Sequence, residues 1–436
     1  NNSDLDDCGY VPPPPSGTVT ICSPIQIYAF DGSFNPSPTG GDCTQIGTWS
    51  AASKTCTLTA DIVTSGNTGA IKLNQSIWQS GFTGEGTTES ITIDGAGHTI
   101  TGTGGGQMSD AGVYLYKTAF STVKNLTIDN FKVGINYHQT NGVTITGNTI
   151  KNSHYGIYVY DTGNCPNCGS GVAITNNTVE NSGSYTGSSS ILVQNFEGDG
   201  TCNTNIPYFL DLSETGQPPP GNNPTPVTVK GNTITDGDGW GITLDAAGAC
   251  IDSNTINNST AAMNISGPGY SNAQSNNNII SNNTITGNAS GIAVVGSGNT
   301  FANNSSNGSQ QYGFKFDSRS QNNIITNNVA NNNAQYGFKF DDGSTGHTFT
   351  GNTATGNAVA DSEGVGAPSG TVSASGISIG QSGTTNGGDC STVGTWQPQP
   401  NSSFPHGGIC TLTADIQITG TGAGINIGSS SVTLDG

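Results

Sequence analysis

The sequence predicts an all-β chain wound as a parallel β-solenoid, and three observations carry that reading. Gly-led strands recur at about 22 residues, apolar and polar residues alternate within them, and Asn or Gly punctuates their ends. GVYLY starts at Gly112, GINYH at Gly134 and GIYVY at Gly156, each Gly 22 residues after the last. The pattern resumes as GITL at Gly241, GIAV at Gly291, and GFKF at Gly313 and Gly337. Each unit also carries a second strand ending in an Asn-rich turn: VTITGNTI (143–150), VAITNNTV (172–179), VTVKGNTI (227–234), NIISNNTI (278–285) and NIITNNV (323–329).

A unit this short cannot bury an apolar face alone. Stacked units can, because each strand pairs with its equivalent one turn away, about 4.8 Å along the axis. Residues one period apart then lie above one another. Val113, Ile135 and Ile157 form one expected interior ladder, and Leu115, Tyr137 and Val159 another. Phe314 over Phe338 and Phe316 over Phe340 give an aromatic ladder, and turn Asn residues can ladder their amides in the same way.

Composition agrees. The 436 residues include 65 Gly and only 9% charged residues, and Asn, Ser and Thr favour turns and strands over helices. Disordered chains are usually rich in charge, which this one is not. Ten Lys+Arg against 29 Asp+Glu give a net charge of −19, with no basic stripe for a nucleic-acid partner. No apolar run approaches the roughly 20 residues of a membrane span. The chain starts at Asn1 with no apolar signal segment, and its ten cysteines suit oxidised pairs, so a secreted, processed protein at the cell surface is expected.

The stretches SITIDGAGHTITG (90–102) and STVKNLTIDNF (121–131), followed by the serial NNTI and GI units, resemble the right-handed parallel β-helix repeat proteins of the pectate-lyase-like superfamily. The resemblance covers roughly residues 56 to 357. It implies the fold and its right-handed coil, and no particular activity.

A second period is near 350 residues. PSGTV (15–19) returns at 368–372, GGDC (40–43) at 387–390, GTW (47–49) at 394–396, and CTLTADI (56–62) unchanged at 410–416. SITIDG (90–95) is echoed by SVTLDG (431–436). The expected organisation is a Pro-rich leader or linker over 1–39, a cap or first rungs over 40–90, and the solenoid over 91–362 with an insertion at 196–226. A linker repeat over 363–386 and the start of a second module over 387–436 follow.

Cys43 and Cys56 form one local disulfide candidate, and Cys390 and Cys410 the repeated one. Cys165 and Cys168 form a CxxC that, with Cys202 and Cys250, either ties the insertion to the body by disulfides or makes a four-thiolate zinc site; disulfides are the expectation, because the second half is not CxxC. Cys8 and Cys22 complete the ten. N-x-S/T sequons at Asn74, Asn125, Asn176, Asn264, Asn282, Asn288, Asn304 and Asn401 are candidate glycosylation sites in a sequence where many arise by chance.

In the superfamily the resemblance implies calcium-binding carboxylates with a proton-abstracting Arg or Lys for elimination, or clustered aspartates for hydrolysis. Arg319 is the single arginine and sits in a turn-like DSRSQNN. Asp236 with Asp238, Asp341 with Asp342, and Asp4 with Asp6 and Asp7 match no catalytic motif, and turn aspartates are the simpler reading. Lys315, Asp317, Lys339 and Asp341 are expected to form a small outward charged patch, a candidate site for an acidic sugar. The superfamily also includes β-helix proteins linked to copper-site maturation, but His98, His138, His154, His347 and His406 show no ligand spacing and the chain has two Met. No catalytic cluster, metal or cofactor is expected.

The sequence therefore predicts a structural module of an extracellular or cell-surface filament, built from stacked solenoid units that associate end to end or as tandem repeats of a longer chain. The alternative is a polysaccharide-binding adhesin or carbohydrate-active protein, with Trp240, Tyr160 and Tyr270 as sugar-stacking platforms.

Overall fold

The computed structural model describes residues 17–29, 37–74, 90–116, 118, 120–138, 142–160, 171–183, 188–197, 227–266, 275–364, 371–374, 377–379, 390–398, 408–412, 415–418, 425–427 and 432–435. The chain divides into two compact units, 1–255 and 256–436, each described in turn. Among the described residues no helix is long and apolar enough to cross a membrane.

In the first unit each coil contributes one strand to each of three parallel sheets. One full coil reads Thr122–Lys124, Thr127–Asp129 and Val133–His138, and the next Thr144–Thr146, Thr149–Lys151 and Tyr155–Tyr160. The first sheet stacks Thr99–Thr101, Thr127–Asp129, Thr149–Lys151, Thr178–Glu180 and Thr233–Thr235; the second stacks Thr92–Asp94, Thr122–Lys124, Thr144–Thr146, Ala173–Thr175, Thr228–Lys230 and Cys250–Asp252. The third runs through Ile71–Asn74, Ala111–Tyr116, Val133–His138, Tyr155–Tyr160, Ser189–Glu197 and Trp240–Ala247. Val113, Ile135 and Ile157 pair in register, as do Leu115, Tyr137 and Val159, and all six are buried, so the ladders expected from the period exist.

Two features of the repeat make the corners. The turn between the first two strands of a coil passes through a left-handed residue, Asn125, Gly147, Asn176 or Gly231 in successive coils, with φ between 54° and 65°. The next residue then faces inward, and from Asn148 onward it is an asparagine: Asn148, Asn177, Asn232 and Asn254 are 1% exposed and pass side-chain amides to one another at 2.9–3.0 Å. Each also caps a backbone N–H of the preceding coil and donates to a strand carbonyl, as Asn177 does to Ile145. The expected amide ladder is therefore real, but it is carried inside the core by the residue after the turn.

The leader expected over 1–39 is replaced in its second half by structure. Thr18–Ile21 pairs with Asp61–Thr64, and Ile25–Ile27 pairs with Ile71–Asn74, with Ile21, Ile25 and Ile27 buried. Residues 1–16 lie outside the described set. The strand Gly47–Ser50 folds back antiparallel on Thr55–Leu58, and the Cys43–Cys56 disulfide pins this hairpin.

The second unit repeats the same coil through Ile279–Ser281, Thr300–Ala302, Ile324–Thr326 and Thr348–Thr350, with Ser290–Val294, Tyr312–Phe316, Tyr336–Phe340 and Ala360–Glu363 on the facing sheet. Phe314 stacks on Phe338 at 4.9 Å and Phe316 on Phe340 at 4.8 Å. The ladder Asn283, Asn304, Asn328 and Asn352 runs at 2.9 Å per step. A second column, Asn278, Asn299 and Asn323, ends on His347, whose Nδ1 accepts from the Asn323 backbone N–H at 3.2 Å while its Nε2 meets the Ser344 hydroxyl at 2.7 Å.

Burial against Phe316 and Phe340 pushes the His347 imidazole down to about 4. Protonating it would place a proton on the atom that receives the Asn323 N–H. Because the folded value lies below the ordinary 6.5, the unfolded chain takes the proton first as pH falls. The contribution is complete above pH 6.5 and is lost between 6.5 and 4, about 2 kcal/mol once partial exposure is discounted. Calorimetry from pH 7 to 4 on the protein and on His347→Asn, which continues the column, should show a flatter pH slope in the variant. The comparison isolates His347 from Asp361, whose carboxyl is raised by burial and works in the opposite sense. Equal slopes would refute this role.

The opening of the second copy repeats the pairings of the first. Thr371–Ala374 pairs with Asp415–Ile418 as Thr18–Ile21 does with Asp61–Thr64, and Ile377–Ile379 pairs with Ile425–Ile427 as Ile25–Ile27 does with Ile71–Asn74. Gly394–Pro398 forms the antiparallel hairpin with Gly408–Leu412, the disulfide Cys390–Cys410 pins it, and Val432–Asp435 adds in parallel. The linker expected over 363–386 thus holds two strands, hidden in sequence by their shortness.

Candidate functional site

The outward positions of the third sheet in the first unit gather aromatic residues. Registered strands place Lys72, Tyr114, Asn136, Tyr158, Leu192 and Thr243 in one column. Asn74, Tyr116, His138, Tyr160, Gln194 and Asp245 form the next. These columns follow from the same alternation that buries Val113 and Leu115. Tyr114 and Tyr116 stack at 5.8 Å, Tyr158 and Tyr160 at 6.0 Å, and His138 lies between Tyr116 and Tyr160 at 5.5 and 5.4 Å.

The loop Gln107–Ser109 rises opposite these rings and encloses a cavity of about 430 Å³ with Tyr114, Asn136, His138, Tyr158 and Tyr160. Asn136 is only 5% exposed, and its Nδ2 donates to the Met108 carbonyl at 2.6 Å. That bond fixes the amide orientation and leaves Oδ1 buried without a hydrogen-bond partner. The Tyr114 hydroxyl reaches His138 Nδ1 at 3.5 Å, and Lys72 lies over the Tyr114 ring at 5.8 Å.

Across the two columns the Tyr158 hydroxyl donates to Gln194 Oε1 at 3.1 Å, and the Gln194 side chain hydrogen-bonds the Asp245 carboxyl. Asp245 is 4% exposed, Oδ2 has no partner, and burial raises the carboxyl to about 7 despite that bond. Burial and the neighbouring Tyr160, Tyr155 and Asp245 charges push the Tyr158 phenol up to about 12, so it stays a neutral donor. The face offers ring surfaces, a buried acceptor and one carboxyl that titrates near neutrality. Glycoside hydrolysis takes two carboxylates across the bond, and the described columns hold Asp245 alone.

Of the three expected stacking residues, Tyr160 lines this cavity, Trp240 is half-buried at the start of its strand, and Tyr270 lies outside the described residues. The charged patch is internally neutralised: Lys315 pairs with Asp341 at 3.1 Å, Asp317 with Arg319 at 3.0 Å, and Lys339 with Glu363 at 3.8 Å. Asp236 is an exposed turn residue with φ 55°. Sequence reasoning missed Tyr114, Asn136, Tyr158 and Asp245, although the outward phase of GVYLY, GINYH and GIYVY already aligned the first three.

Cys22 and Cys250 are each in a disulfide, which removes Cys250 from a thiolate zinc site, while Cys8, Cys165, Cys168, Cys202 and the insertion from 198 onward lie outside the described residues. Of the sequons, Asn125, Asn176 and Asn282 are exposed left-handed turn residues. Asn264 is half-buried in a strand, and Asn74 has a described backbone only. Asn401 is outside the described set. Asn288 and Asn304 are fully buried with their amides committed to core hydrogen bonds, so neither can carry a glycan in this fold.

Residues 89–270 match a family model described as periplasmic copper-binding protein (NosD), and residues 220–393 match one described as right handed beta helix region. Among the described residues no group of three or more His, Cys, Asp or Glu is placed to hold a metal, and the cavity offers one thioether, Met108, and one imidazole, His138. A copper centre is built from more soft donors than that. The described residues do not fit one.

Among solved structures, the chain is similar to the catalytic unit of a thermostable GH87 α-1,3-glucanase from Streptomyces thermodiastaticus, with 14% identity, TM-score 0.43, 72% of this chain and 58% of the glucanase covered. It spans, then, little more than half of that enzyme's length. The A-module of the Azotobacter vinelandii mannuronan C-5 epimerase AlgE6 is similar at 12% identity and TM-score 0.39, covering 99% of this chain and 92% of the module. A point mutant of the periplasmic alginate epimerase AlgG is similar at 10% identity and TM-score 0.32, covering 87% of this chain and 78% of the epimerase. No curated protein matches the chain.

Proposed function

We propose, from the premise that the chain is a right-handed parallel β-helix protein of the pectate-lyase-like superfamily, that it works as a repeating structural module of an extracellular filament. One observation carries the reading: the second copy restarts the fold with the same strand pairings and its own pinned hairpin. A polymer of such modules gains length by repetition, while backbone hydrogen bonds along each module resist extension. Ten cysteines and a net charge of −19 suit an oxidising exterior.

Cryo-electron microscopy of the purified native material tests this. The expected result is long filaments whose axial repeat corresponds to one module of about 350 residues. Dispersed single particles at all concentrations would overturn it.

A second reading is favoured by a separate observation, the aromatic cavity with a buried unpaired acceptor on the outer face of the third sheet. That face suits binding of a polysaccharide, because sugar rings stack on tyrosines and their hydroxyls reach buried polar groups. A surface filament with such a face acts as an adhesin.

A further inference from the structure

We infer that the cavity on the third sheet selects an uncharged glycan segment of about two sugar rings and rejects uronates. The inference rests on the reading of this face as a polysaccharide-binding surface and names the ligand's chemistry.

The lining decides the charge. Among the described residues that enclose the cavity there is no carboxylate, ammonium or guanidinium: the contacts are phenols, amides, one thioether, one imidazole and a hydroxyl. Lys72, in the column of Tyr114, is laid over that ring at 5.8 Å. A uronate carboxylate entering here would lose its water with no cation in the lining to receive it. The carboxyl further along the column, Asp245, is about half protonated at neutral pH, because burial raises it to about 7. The chain's overall −19 repels acidic polymers before they arrive.

The polar groups decide the rest. Asn136 Oδ1 is a buried acceptor, so it is completed by a donor, and a sugar hydroxyl is one. The Tyr114–Tyr116 and Tyr158–Tyr160 pairs sit two coils apart on either side of Asn136 and His138. At about 4.8 Å per coil that separation is about 10 Å, enough for two rings to stack with their apolar faces down and one hydroxyl turned to Asn136.

The test is isothermal titration calorimetry on the full chain with neutral glucan hexasaccharides of α-1,3, β-1,3 and β-1,4 linkage, against hexagalacturonate and hexamannuronate. At least one neutral hexasaccharide is expected to bind, at least tenfold more tightly than either uronate. Asn136→Ala and Tyr158→Ala should each weaken that binding at least tenfold with an unchanged melting transition. If Asn136→Ala fails to fold, Tyr114→Ala, at a half-buried outward position, carries the same comparison. Tighter binding of a uronate would overturn the inference and leave the polysaccharide face standing. Binding of no glycan would overturn both, and neutral binding indifferent to these substitutions would overturn the assignment to this cavity.

Discussion

Replacing Asn328 by Ala should cost the second unit about 3–5 kcal/mol, whereas Asn303→Gly, one coil earlier and on the surface, should cost less than about 0.5 kcal/mol. The difference lies in what each amide holds. Asn328 Oδ1 receives the Asn304 backbone N–H and side-chain amide at 2.9 Å each, and its Nδ2 donates to Asn352 Oδ1 at 2.9 Å, the Phe301 carbonyl at 2.9 Å and the Thr326 carbonyl at 3.1 Å. Truncation strands donors and acceptors on both neighbouring coils where water does not reach. Asn303 occupies a left-handed turn at φ 57° and is exposed, and the equivalent residue two coils on is Gly351 at φ 67°. Calorimetry of the intact chain reads both variants. Equal melting of Asn328→Ala and the parent would mean the ladder contributes nothing.

The second large effect concerns glycine. The repeat uses it for two unrelated reasons, and substitution separates them. At Gly156 a Cβ would lie 2.5 Å from the Ser190 carbonyl oxygen and 2.6 Å from Val179 Cγ1, so Gly156→Ala forces backbone apart at the corner between sheets and should cost at least about 3 kcal/mol. Gly112 and Gly337 face the same obstacle, each with a carbonyl of the next coil in the way. Gly147 is needed for its φ of 64° alone, and its Cβ would meet nothing nearer than Asn125 Oδ1 at 3.3 Å. Since Asn125 and Asn176 fill the same column, Gly147→Asn should leave stability within about 0.5 kcal/mol. Urea titration of the two variants distinguishes them. A tolerant Gly156 would show that the corner can open.

This corner explains why the fold could be read from residues at all. Gly112, Gly134 and Gly156 recur because each coil presses its neighbour at the same point, so packing writes its period into the sequence. The inward ladders follow from that phase by alternation, and they were legible. The strands Thr18–Ile21 and Ile25–Ile27 were not, since three or four residues beside a proline run carry too little pattern. Asn288 and Asn304 looked like glycan acceptors because a sequon records chemistry, while burial depends on the left-handed residue before the ladder position. The cavity was half legible: the phase of Tyr114, Asn136 and Tyr158 could be counted, but the loop Gln107–Ser109 that buries Asn136 closes over it in three dimensions.

The identical segment CTLTADI, present at 56–62 and 410–416 and spanning the ends of two strands in each copy, creates a problem of identity while the chain folds. Main-chain pairing cannot tell one copy from the other, so a strand of one module finds an equally good partner in the next, the route by which repeat proteins exchange segments. The bonds Cys43–Cys56 and Cys390–Cys410 span only 13 and 20 residues. Short loops close at lower entropic cost than the long crossovers of the parallel sheets. Oxidation can therefore commit each hairpin to its own copy before its distant neighbours compete, which makes these disulfides proofreaders of connectivity as well as pins of a folded end.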